Sequence, residues 1–204
     1  MDGEFSNDAA ILLGAHIYRD HKALEVGDGP KNSVKAFRDY LVDDLGVPAE
    51  NILNLFNNRS NHASQLEKIR RHLTALQGRT KKSVRCLFVY YSGHGVHDLE
   101  SNAFALSIAR TDSQFPIDSS LKARELANTL RLVAGNSCRF VILDCCYAEL
   151  AGKEFHLFDP QSLGTDAAKA FSPDAPASPL NASIGPPTRG CSLLCASGLT
   201  LQKG

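Results

Sequence analysis

Hydrophobic positions in this chain follow two rhythms. Strand-like, mainly apolar runs occur within Ala9 to His16, Val84 to Tyr91, Arg139 to Asp144 and Ser192 to Ala196, with a shorter run at Asn51 to Phe56. Runs rich in β-branched and aromatic residues, with no polar alternation, predict strands buried on both faces, as in a parallel sheet. Between them, apolar residues recur at three- and four-residue intervals: Val34, Phe37, Tyr40, Leu41 and Leu45, then Leu66, Ile69, Leu73 and Leu76, then Leu121, Leu126, Leu130 and Val133. These spacings predict a helix from Asn32 to the stop at Gly46 and Pro48, a second from Ser64 to Gly78, and a third from Leu121 to Val133.

The remaining stretches read differently. Tyr18 to Gly29 is polar and loop-like, and Ala103 to Ile108 alternates loosely, as a strand ribbon at the sheet edge would. Pro160 to Gly190 is rich in Pro, Ala, Ser and Gly without periodicity, so residues 159–190 are expected to form a flexible loop or a candidate processing linker. Strands alternating with helices predict one α/β domain over residues 1–204, with a doubly wound, mainly parallel sheet. Right-handed crossovers can then set the Val84 and Arg139 strands side by side.

Composition narrows the function classes. The 204 residues carry 22 basic and 22 acidic side chains, so nothing in the charge balance points to nucleic acid or an acidic membrane. No apolar run approaches a membrane span, and Met1-Asp2-Gly3-Glu4 is acidic where a signal peptide is basic, so a cytoplasmic protein is expected. Six cysteines are too sparse for a disulfide scaffold and read as reduced thiols.

The chemistry-bearing residues sit where strands end. Tyr91 is followed by Ser92-Gly93-His94-Gly95, and Leu143 by Asp144-Cys145-Cys146. Ligands of open α/β sheets bind outside the carboxyl ends of the strands. An imidazole beside a thiol favours the nucleophilic thiolate and later protonates a leaving amine. The N–H groups of Gly95 and Cys146 are candidates for an oxyanion hole. Each motif alone has a plainer reading, a turn in one case and core packing in the other. Strand alternation allows only one of Cys145 and Cys146 to face His94. Cys191 and Cys195 fit a strand better than a zinc knuckle, the other six histidines read as surface or packing residues, and no phosphate-binding Gly-rich loop or serine-hydrolase elbow is present.

Tyr91-Ser92-Gly93-His94-Gly95 taken with Leu143-Asp144-Cys145-Cys146 resembles the caspase-like cysteine peptidases of clan CD, peptidase family C14, in their metacaspase branch. Gly46-Val47-Pro48 before Asn51-Ile52 resembles the same branch, and about fifty positions lie between His94 and Cys146, similar to the caspase spacing. The resemblance implies a three-layer α/β/α sandwich of the caspase-haemoglobinase type, with the C-terminal small-subunit portion lacking. It implies a cysteine endopeptidase in which His94 is base and acid. The family places an Asp two before the nucleophile, which selects Cys146 and leaves Cys145 as a buried filler. Asp144 and Ser92 would line a pocket for Arg or Lys.

A second pocket acid usually follows an Asn near the first helix. Asn32-Ser33 departs from that pattern and leaves loop residues such as Asp28 as substitutes. Lys169 and Arg189 are candidate processing positions. The implied partners are a protein or peptide substrate, and a second chain or a further C-terminal portion that completes the sheet. No metal or other cofactor is implied; calcium activation is a property of many metacaspases that Asp98, Glu100 and Asp112 do not spell out here. Tyr147-Ala148-Glu149 stands where the family usually has His-Ser-Gly, which motivates an alternative expectation, a catalytically silent scaffold that binds partners.

Overall fold

The computed structural model describes residues 7–101, 103–148, 151 and 190–195. The chain runs β1 (Ala9–Gly14), α1 (Gly29–Asp39), β2 (Ile52–Asn54), α2 (His62–Thr80), β3 (Cys86–Ser92), β4 (Gly95–Asp98) and β5 (Ala103–Leu106). It continues through α3 (Pro116–Ser119), β6 (Leu121–Lys122), α4 (Ala123–Ala134), β7 (Cys138–Asp144) and β8 (Gly190–Cys195). Five strands form a parallel sheet in the order β2-β1-β3-β7-β8. The chain thus starts near the middle and winds outward in both directions; the strand order reverses between β1 and β3, and the two candidate motifs leave the carboxyl ends of β3 and its next neighbour β7.

Alternation within the strands divides the core into layers. Ala10, Leu12, Phe88 and Tyr90 pack against Val34 and Phe37 of α1 and against Leu41 in its π-helical continuation. Ile11, Leu13, Val89, Tyr91, Val141 and Leu143 face the other way, onto Ile69 and Leu73 of α2 and Leu126 and Leu130 of α4. Helices on both faces explain why these strands carry unbroken apolar runs rather than a polar side. The result is a three-layer α/β/α arrangement. No described helix is long and apolar enough to cross a membrane.

Three expectations are corrected. The helix expected to stop at Gly78 runs on to Thr80 and ends at Lys81, whose φ of 54° supplies the left-handed terminus. Leu121 and Lys122 precede α4 as a strand, because Leu121 pairs with Leu106 and both side chains are fully buried. The Ala103 segment does not edge the main sheet: β5 is the middle strand of a separate antiparallel sheet, β4-β5-β6. The expected linker at 159–190 lies outside the described residues except for Gly190, which begins β8.

At the amino end of the sheet, the buried Asp8 carboxylate takes a two-pronged ion pair from Arg85, Nε at 3.0 Å and Nη2 at 2.8 Å. Asp8 also accepts from the Cys86 N–H at 3.2 Å. This pair ties the starts of β1 and β3 together at the rim opposite the candidate site.

Candidate active site

The parallel register of β3 and β7 sets Ser92 beside Asp144, so the two sequence motifs leave the sheet from adjacent positions on one rim. The N–H of Gly93 donates to the carbonyl of Asp144 at 3.2 Å. Beyond that point Cys145 keeps the direction of Leu143 and is buried in the α2/α4 core, whereas Cys146 is exposed. Gly95 then closes on the second motif. A Cβ on Gly95 would lie 2.0 Å from the carbonyl oxygen of Cys146 and 2.9 Å from the ring of Phe104, so no residue with a side chain fits there.

Two buried tyrosines hold the His94 backbone. The Tyr91 hydroxyl donates toward the His94 carbonyl at 2.6 Å and the Ser107 carbonyl at 2.8 Å, two acceptors sharing one hydrogen. The His94 N–H approaches the Tyr18 hydroxyl at 3.4 Å, and that hydroxyl donates to the Ala15 carbonyl. Burial pushes the Tyr18 phenol up to about 12 and the Tyr91 phenol well above its ordinary value, so both remain neutral donors at any physiological pH. Gly93 leaves space for them: a Cβ there would meet the Tyr91 oxygen at 2.9 Å and the Tyr18 oxygen at 3.1 Å. The His94 ring lies 5.9 Å from that of Tyr18, and its Nε2 is shielded from solvent with no hydrogen-bond partner among the described residues.

The ladder geometry also orients Gly95. The Ser107 N–H donates to the His94 carbonyl at 2.9 Å, one of the two bonds of a hydrogen-bonded antiparallel position, the other being replaced by the Tyr18 and Tyr91 hydroxyls. Such positions alternate with non-bonded ones. Gly95, opposite Leu106, therefore directs its N–H and C=O away from β5, along the outer edge of β4.

Asp144 lies on the α1 side of the sheet. Its carboxylate accepts from Ser92 Oγ at 3.0 Å and from Tyr90 Oη at 3.3 Å. Tyr90 in turn is hydrogen-bonded by Ser33, and its phenol is pushed up by burial first and by the Asp144 charge second. Asp28 is not brought to this group. It is exposed at the start of α1 and pairs with His16 Nε2 and Lys31, each at 3.6 Å. His16 is itself buried, held by Asn57 and stacked on Phe56. Sequence reasoning missed Tyr90 and Ser33. The signal for Tyr90 was available, because it lies two residues before Ser92 and alternation gives them the same face.

After Cys146 the backbone turns through Tyr147 at φ 60°, with the Tyr147 ring 6.0 Å from that of His97. Glu149, Lys169 and Arg189 lie outside the described residues. Asp98 and Asp112 accept from backbone N–H groups of their own turns.

A family model described as the caspase domain matches residues 7–185. The chain belongs to the caspase-domain family of peptidases, C14. No curated protein matches this sequence. Among solved structures, a crystallised protein from Geobacter sulfurreducens is similar at 20% identity and a TM-score of 0.45, covering 68% of this chain. The chain spans half the length of that protein. The family is one of cysteine peptidases, and the rim of this caspase domain carries an exposed thiol, an imidazole whose Nε2 is shielded and unpartnered among the described residues, and a carboxylate cradled by two hydroxyls.

Proposed function

We propose that the protein is a cysteine endopeptidase of metacaspase type that cleaves after Arg or Lys. The observation that carries this reading is the contact between Gly95 and the Cys146 carbonyl, which brings the His94 turn against the residue that holds the thiol. In the proposed reaction His94 takes the Cys146 proton, and the thiolate attacks the scissile carbonyl carbon. The oxyanion accepts hydrogen bonds from the N–H groups of Gly95 and Cys146. His94 then protonates the leaving amine, and water, deprotonated by His94, releases the acyl group from sulfur.

Asp144 gives the pocket its charge. A guanidinium or ammonium group entering beside Ser92 and Tyr90 would gain a charge-assisted bond that an acidic side chain could not. The absence of a second acid at Ser33 leaves Asp144 as the anion of this described cluster, so both basic residues are accommodated.

The test is hydrolysis of fluorogenic peptides ending in Arg, Lys or Asp by the wild type, Cys146→Ala and His94→Ala. Activity on Arg and Lys that vanishes in both variants is the expected result. Equal signals from all three proteins on every substrate would leave the scaffold reading in place. Alkylation of the folded wild type with a peptide chloromethylketone, followed by mapping of the label, separates an intact nucleophile from a silent one.

A further inference from the structure

β4 is the outer strand of its sheet among the described residues, and its first residue, Gly95, touches Cys146. One face of this small sheet is core: Phe104, Leu106 and Leu121 pack into the cluster on the α2/α4 side. The other face borders an open cleft of about 710 Å³ lined by Val96, Ala103, Phe115, Ile117, Asp118 and Lys122 among others. Three of the charges there are engaged locally. Lys122 pairs with Asp118 at 2.9 Å, and the Asp98 carboxylate is held by Ser101 and the Glu100 N–H. Between these pairs the wall carries Val96, Ala103, Ile117 and Phe115, the last 63% exposed, with Arg124 and Gln114 at its margin. Apolar side chains beside a strand edge with no neighbour among the described residues are a feature of peptide-docking sites.

The two sides of the rim have different occupants under the peptidase reading. The Asp144, Ser92 and Tyr90 group lies on the α1 side and would hold the residue before the scissile bond, whereas β4 lies on the α2/α4 side. A substrate crossing the rim therefore delivers its leaving-group segment to β4. If the scissile carbonyl oxygen accepts from the Gly95 N–H, a strand running parallel to β4 brings the N–H of the second residue after the scissile bond to the Gly95 carbonyl, because each residue of a parallel ladder bonds the partners on either side of the one opposite it. That second residue lies opposite Val96, so its side chain falls on the cleft face.

We propose that the leaving-group segment of the substrate adds to the edge of β4 as a parallel strand, and that the cleft between Val96, Ala103 and Phe115 selects an apolar side chain at the second position after the cut. This inference rests on the peptidase reading for its register. Binding to the Cys146→Ala protein can be measured whether or not the wild type is active.

The experiment compares three labelled peptides by fluorescence anisotropy on Cys146→Ala. All share an Arg before the scissile bond; the second residue after it is Leu, Asp, or N-methyl-leucine, which lacks the amide hydrogen. The leucine peptide should bind about tenfold more tightly than either other peptide, and Phe115→Ala should bring the Leu-to-Asp ratio close to one. Phe115 is exposed, so that variant folds, and a ratio is unaffected by a uniform loss of active protein. Equal affinity for the three peptides overturns the proposal, as does a leucine preference that Phe115→Ala leaves intact. Selective binding without hydrolysis by the wild type would retain the docking edge and discard the peptidase reading, so the two fail separately.

Discussion

Gly95 and Cys146 are neighbours across the rim of the sheet, so close that a methyl group on Gly95 would sit 2.0 Å from the Cys146 carbonyl oxygen. The obstacle is backbone, which cannot rotate aside as a flexible side-chain tip can. Gly95→Ala must therefore push the turn after Asp144 away from the His94 turn. A misplacement of about 1 Å can cost on the order of 100-fold in rate. The expected outcome is a fall of at least that size in kcat/KM with a folded protein, judged by steady-state kinetics beside a circular dichroism spectrum.

Tyr91 acts one step further back. Its single hydroxyl hydrogen serves the carbonyls of both His94 and Ser107 inside the core. Tyr91→Phe keeps the ring and removes that donor. The Ser107 carbonyl then loses its Tyr91 donor, whereas the His94 carbonyl keeps the Ser107 N–H; one buried acceptor left unsatisfied costs about 1–3 kcal/mol. Chemical denaturation should show a loss in this range, together with reduced hydrolysis, since one of the two donors that hold the His94 carbonyl is gone.

Asp144 carries the predicted preference for basic residues. Asp144→Asn preserves an acceptor for Ser92 and Tyr90 but removes the charge, so discrimination between Arg and a neutral isostere should fall by about 100-fold, the scale expected for losing a partly buried charge pair. Competition kinetics with Arg and citrulline peptides reads this directly. An unchanged ratio would remove Asp144 from the pocket.

The thiols should separate by reactivity. Burial and then the Asp8 charge push Cys86 up from its ordinary value near 9 to about 11, and burial also raises Cys191. At pH 8 the thiolate fraction of Cys86 is then about a hundredfold below that of an ordinary thiol, whereas Cys146 is exposed. Iodoacetamide should reach Cys146 before Cys86 or Cys191, as peptide mapping would show. The sign of the linkage follows. Cys86 binds its proton more tightly in the folded state, so its contribution to stability is present below about pH 9 and lost as the pH rises toward 11.

Arg85→Ala tests the opposite rim. Asp8 is 1% exposed, and without Arg85 its carboxylate keeps the Cys86 N–H but loses its countercharge. Stranding a buried charge costs about 3 kcal/mol. Urea denaturation should record a loss of that order, while activity of the protein that remains folded should be close to wild type, because the site is at the other end of the strands.

Much of this arrangement was legible along the chain because it depends on local alternation. Long apolar runs marked the central strands β1, β3 and β7, since a strand covered by helices on both faces has no polar side to show, and shorter runs marked the edge strands β2 and β8. The change from apolar to polar after Tyr91 and Leu143 located the rim. Period two put Cys145 and Cys146 on opposite faces, the family resemblance chose between them, and the structure has Cys145 buried and Cys146 exposed. The pattern around Leu121 was less informative, because a two-residue strand running directly into a helix keeps helical spacing on its C-terminal side.

What the sequence by itself determined was which residues share a strand face and which stand at a strand end, because covalent geometry dictates both. Only the tertiary structure decided who meets whom across distant segments. Ser33 reaches Tyr90 beside Asp144, while Asp28 turns to His16 and Lys31. The segment after His94 folds into its own antiparallel sheet, with an outer strand next to the cleft. Those outcomes depend on how helices and strands far apart in sequence fill one volume, and residue spacing along the chain does not encode that directly.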